Sequence, residues 1–245
     1  MLDEIINGDA YKLIKNIPDK SVDLIVTDPP YDFGSGGNNT GIFKTRIKGC
    51  TTYDEIAAGG LNKGIDAKRI LPEFKRVMKR TNIYLWCNKD QIKTYLDFFF
   101  GCNFEFIIWG KSNPPPFVGG HYLKDKEYCL YFWDHGVKNH ITCERGRTVY
   151  MSKTNVEDKK SYGHPTIKPL PIIENLILNS SDQGGVILDP FSGSGTTCVA
   201  AKELGRHYIG FEIDRRYWEI SQSRLAGAKE IRKEGDSVIE QMSLF

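Results

Sequence analysis

Short apolar runs alternate with helical stripes along most of this chain, and that alternation limits the fold more than any other feature. Six runs are almost continuously apolar, as expected for strands that are buried on both faces of a sheet. They cover residues 22–26, 82–86, 104–109, 127–133, 185–189 and 207–212. Because strands separated by helices form βαβ units, the pattern predicts an α/β fold with a mostly parallel sheet.

Runs 104–109 and 127–133 have no helical pattern between them, so we expect them to form an antiparallel pair at one edge of the sheet. Elsewhere, apolar residues at helical spacing, together with capping residues at the ends, indicate four helices. These are expected at 67–78 after Asp66, at 170–178 entered through Pro169 and Pro171, at 196–204 ended by Gly205, and after Asp214.

Composition sets the class of protein. With 245 residues, of which 40% are hydrophobic and 26% charged, the chain should form one domain, with room for a small insertion. No apolar run approaches the ~18–20 residues of a membrane span, and the N-terminus has no signal-peptide pattern. We therefore expect a cytoplasmic protein with no membrane partner. Its six cysteines are widely spaced, which predicts reduced thiols and no metal site.

Local charge is uneven although the net charge is only +2. Residues 32–80 carry ten Lys and Arg against five Asp and Glu, and residues 134–168 carry seven against four. Both stretches contain long polar segments, 32–62 and 135–163, and loops of that length are usually functional or mobile. The bias indicates either a polyanion facing these segments or simply solvated loops.

A glycine turn follows the buried run 185–189. Glycines permit close approach of the backbone to a ligand, and the next helix offers free N–H groups. The turn lacks the lysine of a P-loop and the third glycine of a dinucleotide site, which favours a cofactor with a ribose and a small carboxylate. Glu212, which ends the next strand, can accept hydrogen bonds from ribose hydroxyls. The motif reads Asp189-Pro190-Phe191-Ser192-Gly193-Ser194-Gly195-Thr196-Thr197.

A second motif, Asp28-Pro29-Pro30-Tyr31, directly follows the run 22–26. Successive prolines hold the backbone extended, so their carbonyls project at the edge of the sheet where α/β proteins bind ligands. Asp28 and a proline carbonyl can accept the two hydrogens of an exocyclic amine, and Tyr31 can stack on a flat ring. The motif therefore predicts a site for an amino group on a heterocyclic base.

Together the two motifs resemble those of the DNA amino-methyltransferases, which methylate adenine N6 or cytosine N4 with S-adenosyl-L-methionine. The resemblance covers residues 3–226 and has the circularly permuted β order, with the amine motif first. It implies a Rossmann-like methyltransferase fold with a mostly parallel seven-stranded sheet and an antiparallel edge hairpin. It also implies catalytic roles for Asp28, Pro29, Pro30 and Tyr31. The implied cofactor-binding residues are Asp9, Ala10, Asp28, His164, Thr166, Lys168, Asp189, Pro190, Phe191, Ser192, Gly193, Ser194, Gly195, Thr196, Glu212 and Ile213.

The resemblance also divides the chain. Residues 1–133 form the catalytic half with a mobile loop at 32–62, residues 134–163 a small target-recognition segment, residues 164–228 the cofactor-binding half, and residues 229–245 a tail. Double-stranded DNA is the expected partner, from which the target base must flip out. Candidate phosphate contacts are Lys44, Arg46, Lys48, Arg145, Arg147, Lys159 and Lys160.

Several alternatives stay open at this point. In the family that the chain resembles, Asp at the first motif position is more typical of adenine enzymes than of cytosine enzymes, and the related RNA and protein enzymes more often carry Asn there. An NAD-dependent dehydrogenase would need the missing third glycine, and an inactive DNA-binding module would not need every motif residue. A homodimer is left open.

The last five residues suggest a further partner. The segment 241–245, Gln-Met-Ser-Leu-Phe, is similar to the peptide with which bacterial proteins dock on the replicative sliding clamp. The other interpretation is a tail that folds onto its own core or onto a partner subunit.

Overall fold

A computed structural model describes residues 1–31, 64–114, 122–154 and 167–227. The expected mobile loop, the tail with its clamp-like peptide, and seven predicted site residues lie outside these ranges. Those seven residues are Lys44, Arg46, Lys48, Lys159, Lys160, His164 and Thr166. Within the described ranges, no helix is long and apolar enough to cross a bilayer.

Eight strands in the described part of the chain form one sheet with the order β1-β8-β7-β2-β3-β5-β4-β6. All of the six predicted strands are present, with ends that shift by no more than two residues. The strands are β1 (Glu4–Asn7), β2 (Leu24–Thr27), β3 (Asn82–Cys87), β4 (Asn103–Lys111), β5 (Lys126–Trp133), β6 (Val149–Ser152), β7 (Val186–Asp189) and β8 (His207–Glu212).

Helices cover both faces of the sheet and bury a hydrophobic core on each. One face packs against α2 and α3, and the other against α4, α5 and α6. The four predicted helices are found, and two shorter ones, α1 and α3, were not predicted. The helices are α1 (Ala10–Leu13), α2 (Ala67–Val77), α3 (Ile92–Phe98), α4 (Leu170–Ser180), α5 (Thr196–Glu203) and α6 (Arg215–Ala226).

The predicted antiparallel pair is confirmed. β4 and β5 pair from Asn103↔Trp133 to Gly110↔Lys126, and β5 is antiparallel to β3 as well. This hairpin is not the last element of the sheet, because β6 adds to β4 in parallel. The sheet thus has one strand more than the seven that the resemblance implies.

Gly110 explains how β6 fits against β4. It faces Met151 in the parallel register, and a Cβ at Gly110 would lie 2.2 Å from the Met151 sulfur. Because glycine has no Cβ, it leaves space for the Met151 side chain to pack against β4 at this position.

Candidate active site

The carboxyl ends of β7 and β2 lie side by side where the winding direction of the sheet reverses. From β2 the chain passes through α2 to β3 on one side, and from β7 through α5 to β8 on the other. Ligands of open α/β sheets bind in the crevice at such a point. A cavity of about 440 Å³ opens here, which is within the usual range for small-ligand sites.

Both predicted motifs line this cavity. Its wall contains all four predicted catalytic residues and, apart from Gly195, every predicted cofactor-binding residue that the structure describes. Arg145 and Arg147 are not part of this wall. Two motifs that lie about 160 residues apart in the chain thus meet because β2 and β7 are neighbours.

Asp28 and Tyr31 are tied to each other at the end of β2. The Tyr31 hydroxyl donates a hydrogen bond of 2.6 Å to Asp28 Oδ1. From the start of α3, Gln91 Nε2 donates to the Pro30 carbonyl over 3.4 Å. Burial raises the pKa of Tyr31 well above its usual value, so the phenol stays a donor. These bonds fix the direction of the carboxylate.

Lys168 reaches Asp28 from the segment that leads into α4. Its ammonium forms a short ion pair with Asp28 Oδ2 and lies 3.0 Å from Glu127 Oε2. Lys111 Nζ lies 2.6 Å from Glu127 Oε1 on the other side. The resemblance implies that Lys168 binds the cofactor. The structure adds a contact with the predicted catalytic carboxylate, as part of a charge chain that runs Lys111, Glu127, Lys168, Asp28.

In this series of four charged side chains, burial and ion pairing have opposite effects on the pKa values. Burial raises the pKa of Asp28, and the ammonium of Lys168 offsets part of that rise. Burial would lower the pKa of Lys168, but the carboxylates of Asp28 and Glu127 raise it. Burial would likewise raise the pKa of Glu127, but Lys168 and Lys111 outweigh it and lower that pKa to about 2. Lys168 and Glu127 are therefore charged at neutral pH.

A hydrogen bond joins the two motifs directly. Thr27 Oγ1 donates to Asp189 Oδ1 over 2.7 Å, and the Phe191 N–H donates to the same oxygen over 3.2 Å. Burial raises the pKa of Asp189 to about 6 although these bonds favour its ionised form. Asp189 is thus a carboxylate at the cavity wall that a cationic ligand group would stabilise.

Glu212 holds the glycine turn. Its Oε2 accepts from the Gly193 N–H over 2.7 Å, and its Oε1 accepts from the Asp214 N–H over 2.7 Å. Gly193 has a φ of 51°, a left-handed conformation that suits glycine. Burial raises the pKa of Glu212 to about 7. The side chain of the next residue, Ile213, is 65% exposed and offers an apolar surface at the cavity mouth.

Gly195 has a structural constraint beside its predicted role in cofactor binding, which stays a prediction. Gly195 is not among the residues that line the cavity. Its φ is 82°, and a Cβ would lie 2.9 Å from Ser221 Cβ and 3.0 Å from Ile5 Cδ1. The left-handed backbone and the packing against α6 and β1 therefore both favour glycine at position 195.

The opposite cavity wall starts at Asp9. Its carboxylate caps α1 by accepting from the Tyr11 N–H over 2.9 Å, so this predicted cofactor-binding residue also has a structural role. The Tyr11 ring lies edge-on to Phe191 with centroids 6.5 Å apart. Its hydroxyl accepts from the Asp66 N–H over 2.7 Å, which ties α1 to the start of α2.

Comparison with known proteins identifies the family. A family model described as DNA methylase, covering N6 and N4 methyltransferases, matches residues 22–223. The chain belongs to this family. It is 30% identical to the Type II methyltransferase M.HinfI of Haemophilus influenzae, over 93% of this chain and 69% of that protein. It is also 30% identical to the Type II methyltransferase M2.LlaDCHI of Lactococcus lactis subsp. cremoris, over 90% of this chain and 88% of that protein.

Solved structures agree with this assignment. The M1.HpyAVI–SAM complex has a TM-score of 0.65 and 25% identity, and the match covers 91% of this chain and 98% of that one. The PvuII cytosine-N4-specific DNA methyltransferase has a TM-score of 0.67 over 96% of this chain and 88% of that one; at 15% identity it shows the fold alone. The predicted fold class and the predicted S-adenosylmethionine-dependent amino-methyltransferase family are thereby confirmed.

The cavity of the methyltransferase fits S-adenosylmethionine. Two buried carboxylates, Asp189 and Glu212, stand at its wall with raised pKa values, so each would gain from a ligand that donates hydrogen bonds or carries positive charge. The ribose hydroxyls and the ammonium group of the cofactor supply such donors. Exposed Ile213 adds an apolar surface, so the site has both apolar and polar partners.

Arg145 lies away from the cavity edge of the sheet. Its carbonyl accepts from Asn175 and Asn179 of α4, each over 3.0 Å, and its guanidinium donates to the His140 carbonyl over 2.9 Å. Arg147 is exposed in the same segment. DNA contact by these two arginines stays a prediction, and any such contact involves the flank beside α4.

Three residues that shape the site of the methyltransferase were missed by sequence reasoning. Glu127 is the second residue of β5, in a strand that resembles a target-pocket strand of the family but without a predicted role of its own. Thr27 precedes the amine motif, and Arg224 lies in α6. Arg224 is 8% exposed and donates to the Ser194 carbonyl, Ser194 Oγ and Thr196 Oγ1 over 2.8–2.9 Å. A charged residue at a core position of a helix was the available signal, because arginine is seldom buried without partners.

Proposed function

We propose that this DNA methyltransferase transfers a methyl group to N6 of an adenine that is flipped out of double-stranded DNA. The observation that carries the proposal is the Asp28 carboxylate, held at the cavity wall by Tyr31 and Lys168. Asp at the first position of the motif favours adenine, in line with the resemblance described above. Cytosine N4 is the alternative target. The proposal places the enzyme in the cytoplasm.

When bound, S-adenosylmethionine supplies a methyl group that its sulfonium already activates. The protein must therefore improve the amine, which is a poor nucleophile because its lone pair conjugates with the ring. Asp28 and the Pro29 carbonyl accept the two amino hydrogens and so favour a pyramidal nitrogen. The negative charge of Asp28 also faces the positive charge that develops on that nitrogen. Such a preorganised interaction is stronger in the transition state than in the ground state, and it therefore accelerates the reaction.

Tyr31 and the basic segments would hold the substrate. The base cannot reach Asp28 while it is stacked in a duplex, so it has to flip at a cost of about a few kcal/mol. Stacking on the Tyr31 ring recovers part of that cost. Contacts of lysines and arginines with DNA phosphates recover the rest and make binding dependent on salt. The candidates outside the described residues, Lys44 and Lys159 among them, belong to this proposal.

A labelling experiment tests the target. The enzyme is incubated with methyl-labelled S-adenosylmethionine and unmethylated DNA, and the DNA is digested to nucleosides. We expect label in N6-methyl-2′-deoxyadenosine. Label in N4-methyl-2′-deoxycytidine would replace adenine with cytosine as the target, and an unlabelled product would overturn the proposed activity. Sequencing of the same DNA gives the recognition site.

We also propose that the tail docks on the sliding clamp, which would keep the enzyme near newly replicated DNA. Leu244 and Phe245 would fill an apolar pocket while Gln241 bonds at its rim. Because a free tail loses conformational entropy on binding, we expect an affinity of about micromolar. A labelled peptide of residues 237–245 should bind the clamp saturably in fluorescence anisotropy. Equal binding of a peptide with Leu244→Ala and Phe245→Ala would overturn the proposal.

A further inference from the structure

Glu127 is a charged group of the cavity wall to which the proposed mechanism gives no role. It lies at the start of β5, where pairing with β3 sets the β5 backbone beside the end of β3 at Cys87. Its Oε1 is paired with Lys111 at 2.6 Å. Its Oε2 is buried and lies 3.0 Å from Lys168 Nζ. Glu127 thus offers the lysine a second carboxylate beside Asp28.

Lys168 now occupies the place that a target amine needs. Its ammonium bonds to Asp28 Oδ2, while Tyr31 bonds to Oδ1, so both oxygens of the carboxylate already have protein donors. A cation in contact with Asp28 would also repel the positive charge that develops on the amine. Lys168 is 6% exposed. If its ammonium moved from Asp28 to an apolar part of the wall, it would be a buried charge without a partner, which is strongly unfavourable. It can leave Asp28 only toward another carboxylate.

We infer that Glu127 is a positioning residue for methyl transfer, which takes over the Lys168 ammonium when a target amine enters and leaves the Asp28 carboxylate to that amine. The inference rests on the proposed function of Asp28. The required movement is small, because Nζ already lies 3.0 Å from Oε2. Lys168 also stands 5.0 Å from the centre of the Trp86 ring, which supports the cation in either position.

The charge of Glu127 should leave a signature in the pH dependence of the rate. A neighbouring negative charge raises the pKa of Asp28, so removal of the Glu127 charge lowers that pKa. Among the other titratable groups around Asp28, removal of the Glu127 charge also lowers the pKa values of Lys168 and Tyr31, which Glu127 raises. The titratable groups around Asp28 are Lys168 before α4, Tyr31 on the same loop, Cys87 of β3, Tyr95 of α3, Cys129 of β5 and Asp189 of β7.

The test compares Glu127→Gln, which keeps the size and removes the charge, with Glu127→Asp, which keeps the charge and shortens the reach. Single-turnover methylation of a DNA duplex is measured from pH 5 to 9, with cofactor affinity from calorimetry. We expect Glu127→Gln to lower the plateau rate by about tenfold or more, to move the acid limb to lower pH, and to leave cofactor affinity within about twofold. Glu127→Asp should retain more of the rate. Glu105→Gln, an exposed change on the same hairpin, is the matched control and should behave as wild type.

Two results would overturn the inference. One is a Glu127→Gln rate of half the wild-type value or more, and the other is a lower rate for Glu127→Asp than for Glu127→Gln, which would show that shape matters rather than charge. If Glu127→Gln does not fold, the comparison of Glu127→Asp with wild type decides. Because Asp keeps the charge, we expect its plateau rate to stay within about threefold of wild type and its acid limb to stay at the wild-type pH. A larger loss of rate would then overturn the inference. Failure of the proposed function is seen separately, as wild-type enzyme that does not label DNA or as full activity without Asp28.

Discussion

At the scale of single residues, the Asp28 carboxylate depends on contacts with two side chains, Tyr31 and Lys168. Tyr31 fixes its direction, and Lys168 balances its charge in a site where burial raises its pKa. We expect Asp28→Ala to lower the rate of methyl transfer by more than about tenfold, a loss above ~1.4 kcal/mol in transition-state stabilisation. Cofactor affinity in calorimetry should change little, because Glu212 and the glycine turn lie on other strands. Asp90→Ala, outside the cavity wall, serves as the control, and a mutant that keeps more than a tenth of the activity would exclude the role.

Gly195 supports a second prediction at this scale. Gly195→Ala would combine a left-handed backbone with close contacts to Ser221 and Ile5, whereas Gly101→Ala has a φ of 90° and no heavy atom within 4 Å of the added Cβ. Gly101→Ala should therefore cost about 1–2 kcal/mol of unfolding free energy from backbone strain alone. Gly195→Ala should cost about 1–3 kcal/mol more, from overpacking. Chemical denaturation measures both variants, and equal losses would show that packing at Gly195 is unimportant.

At the scale of secondary-structure elements, burial decides what could be predicted from the sequence. Strands β2, β3 and β8 are buried over nearly their whole length, so their apolar runs were recognised. Strands β1 and β6 have four residues each, with one buried side chain apiece, and they left no such run. Both exist because a neighbouring strand offers its edge. The two motifs predicted the cavity, whereas the approach of Glu127 to Asp28 could not be foreseen, since it depends on the antiparallel pairing of β5 with β3.

Helix α6 supports the cofactor site through Arg224, which contacts the glycine turn. Its guanidinium bonds to Ser194 and Thr196 at the start of α5, and so holds the glycine turn that lines the cavity. We expect Arg224→Met to weaken cofactor binding by about tenfold while the rate at saturating cofactor falls much less. Arg215→Met, on the exposed side of the same helix, is the matched control. A loss of rate at saturation with unchanged affinity would show that Arg224 does not act through the turn.

At the scale of the whole molecule, two buried carboxylates make stability and cofactor binding respond to pH in opposite directions. The pKa values of Glu212 and Asp189 are raised by burial to about 7 and about 6. A carboxyl whose pKa is raised in the folded state contributes stability that is fully present below its unfolded pKa of about 4 and is lost as the pH rises through its folded value. For these groups alone, the free protein should therefore become less stable between pH 5 and pH 8.

Cofactor binding should show the reverse trend, because ribose hydroxyls donate best to an ionised Glu212. We expect the affinity for S-adenosylmethionine to rise by up to about tenfold from pH 6 to pH 8. Glu212→Gln should flatten this dependence, and it should also reduce the loss of stability of the free protein over the same pH range. Glu219→Gln, on the exposed side of α6, should change neither property. Calorimetric titration and thermal unfolding across this pH range measure both trends. A wild-type affinity that is constant from pH 6 to pH 8, or a slope that Glu212→Gln preserves, would mean that the ionised Glu212 does not hold the ribose.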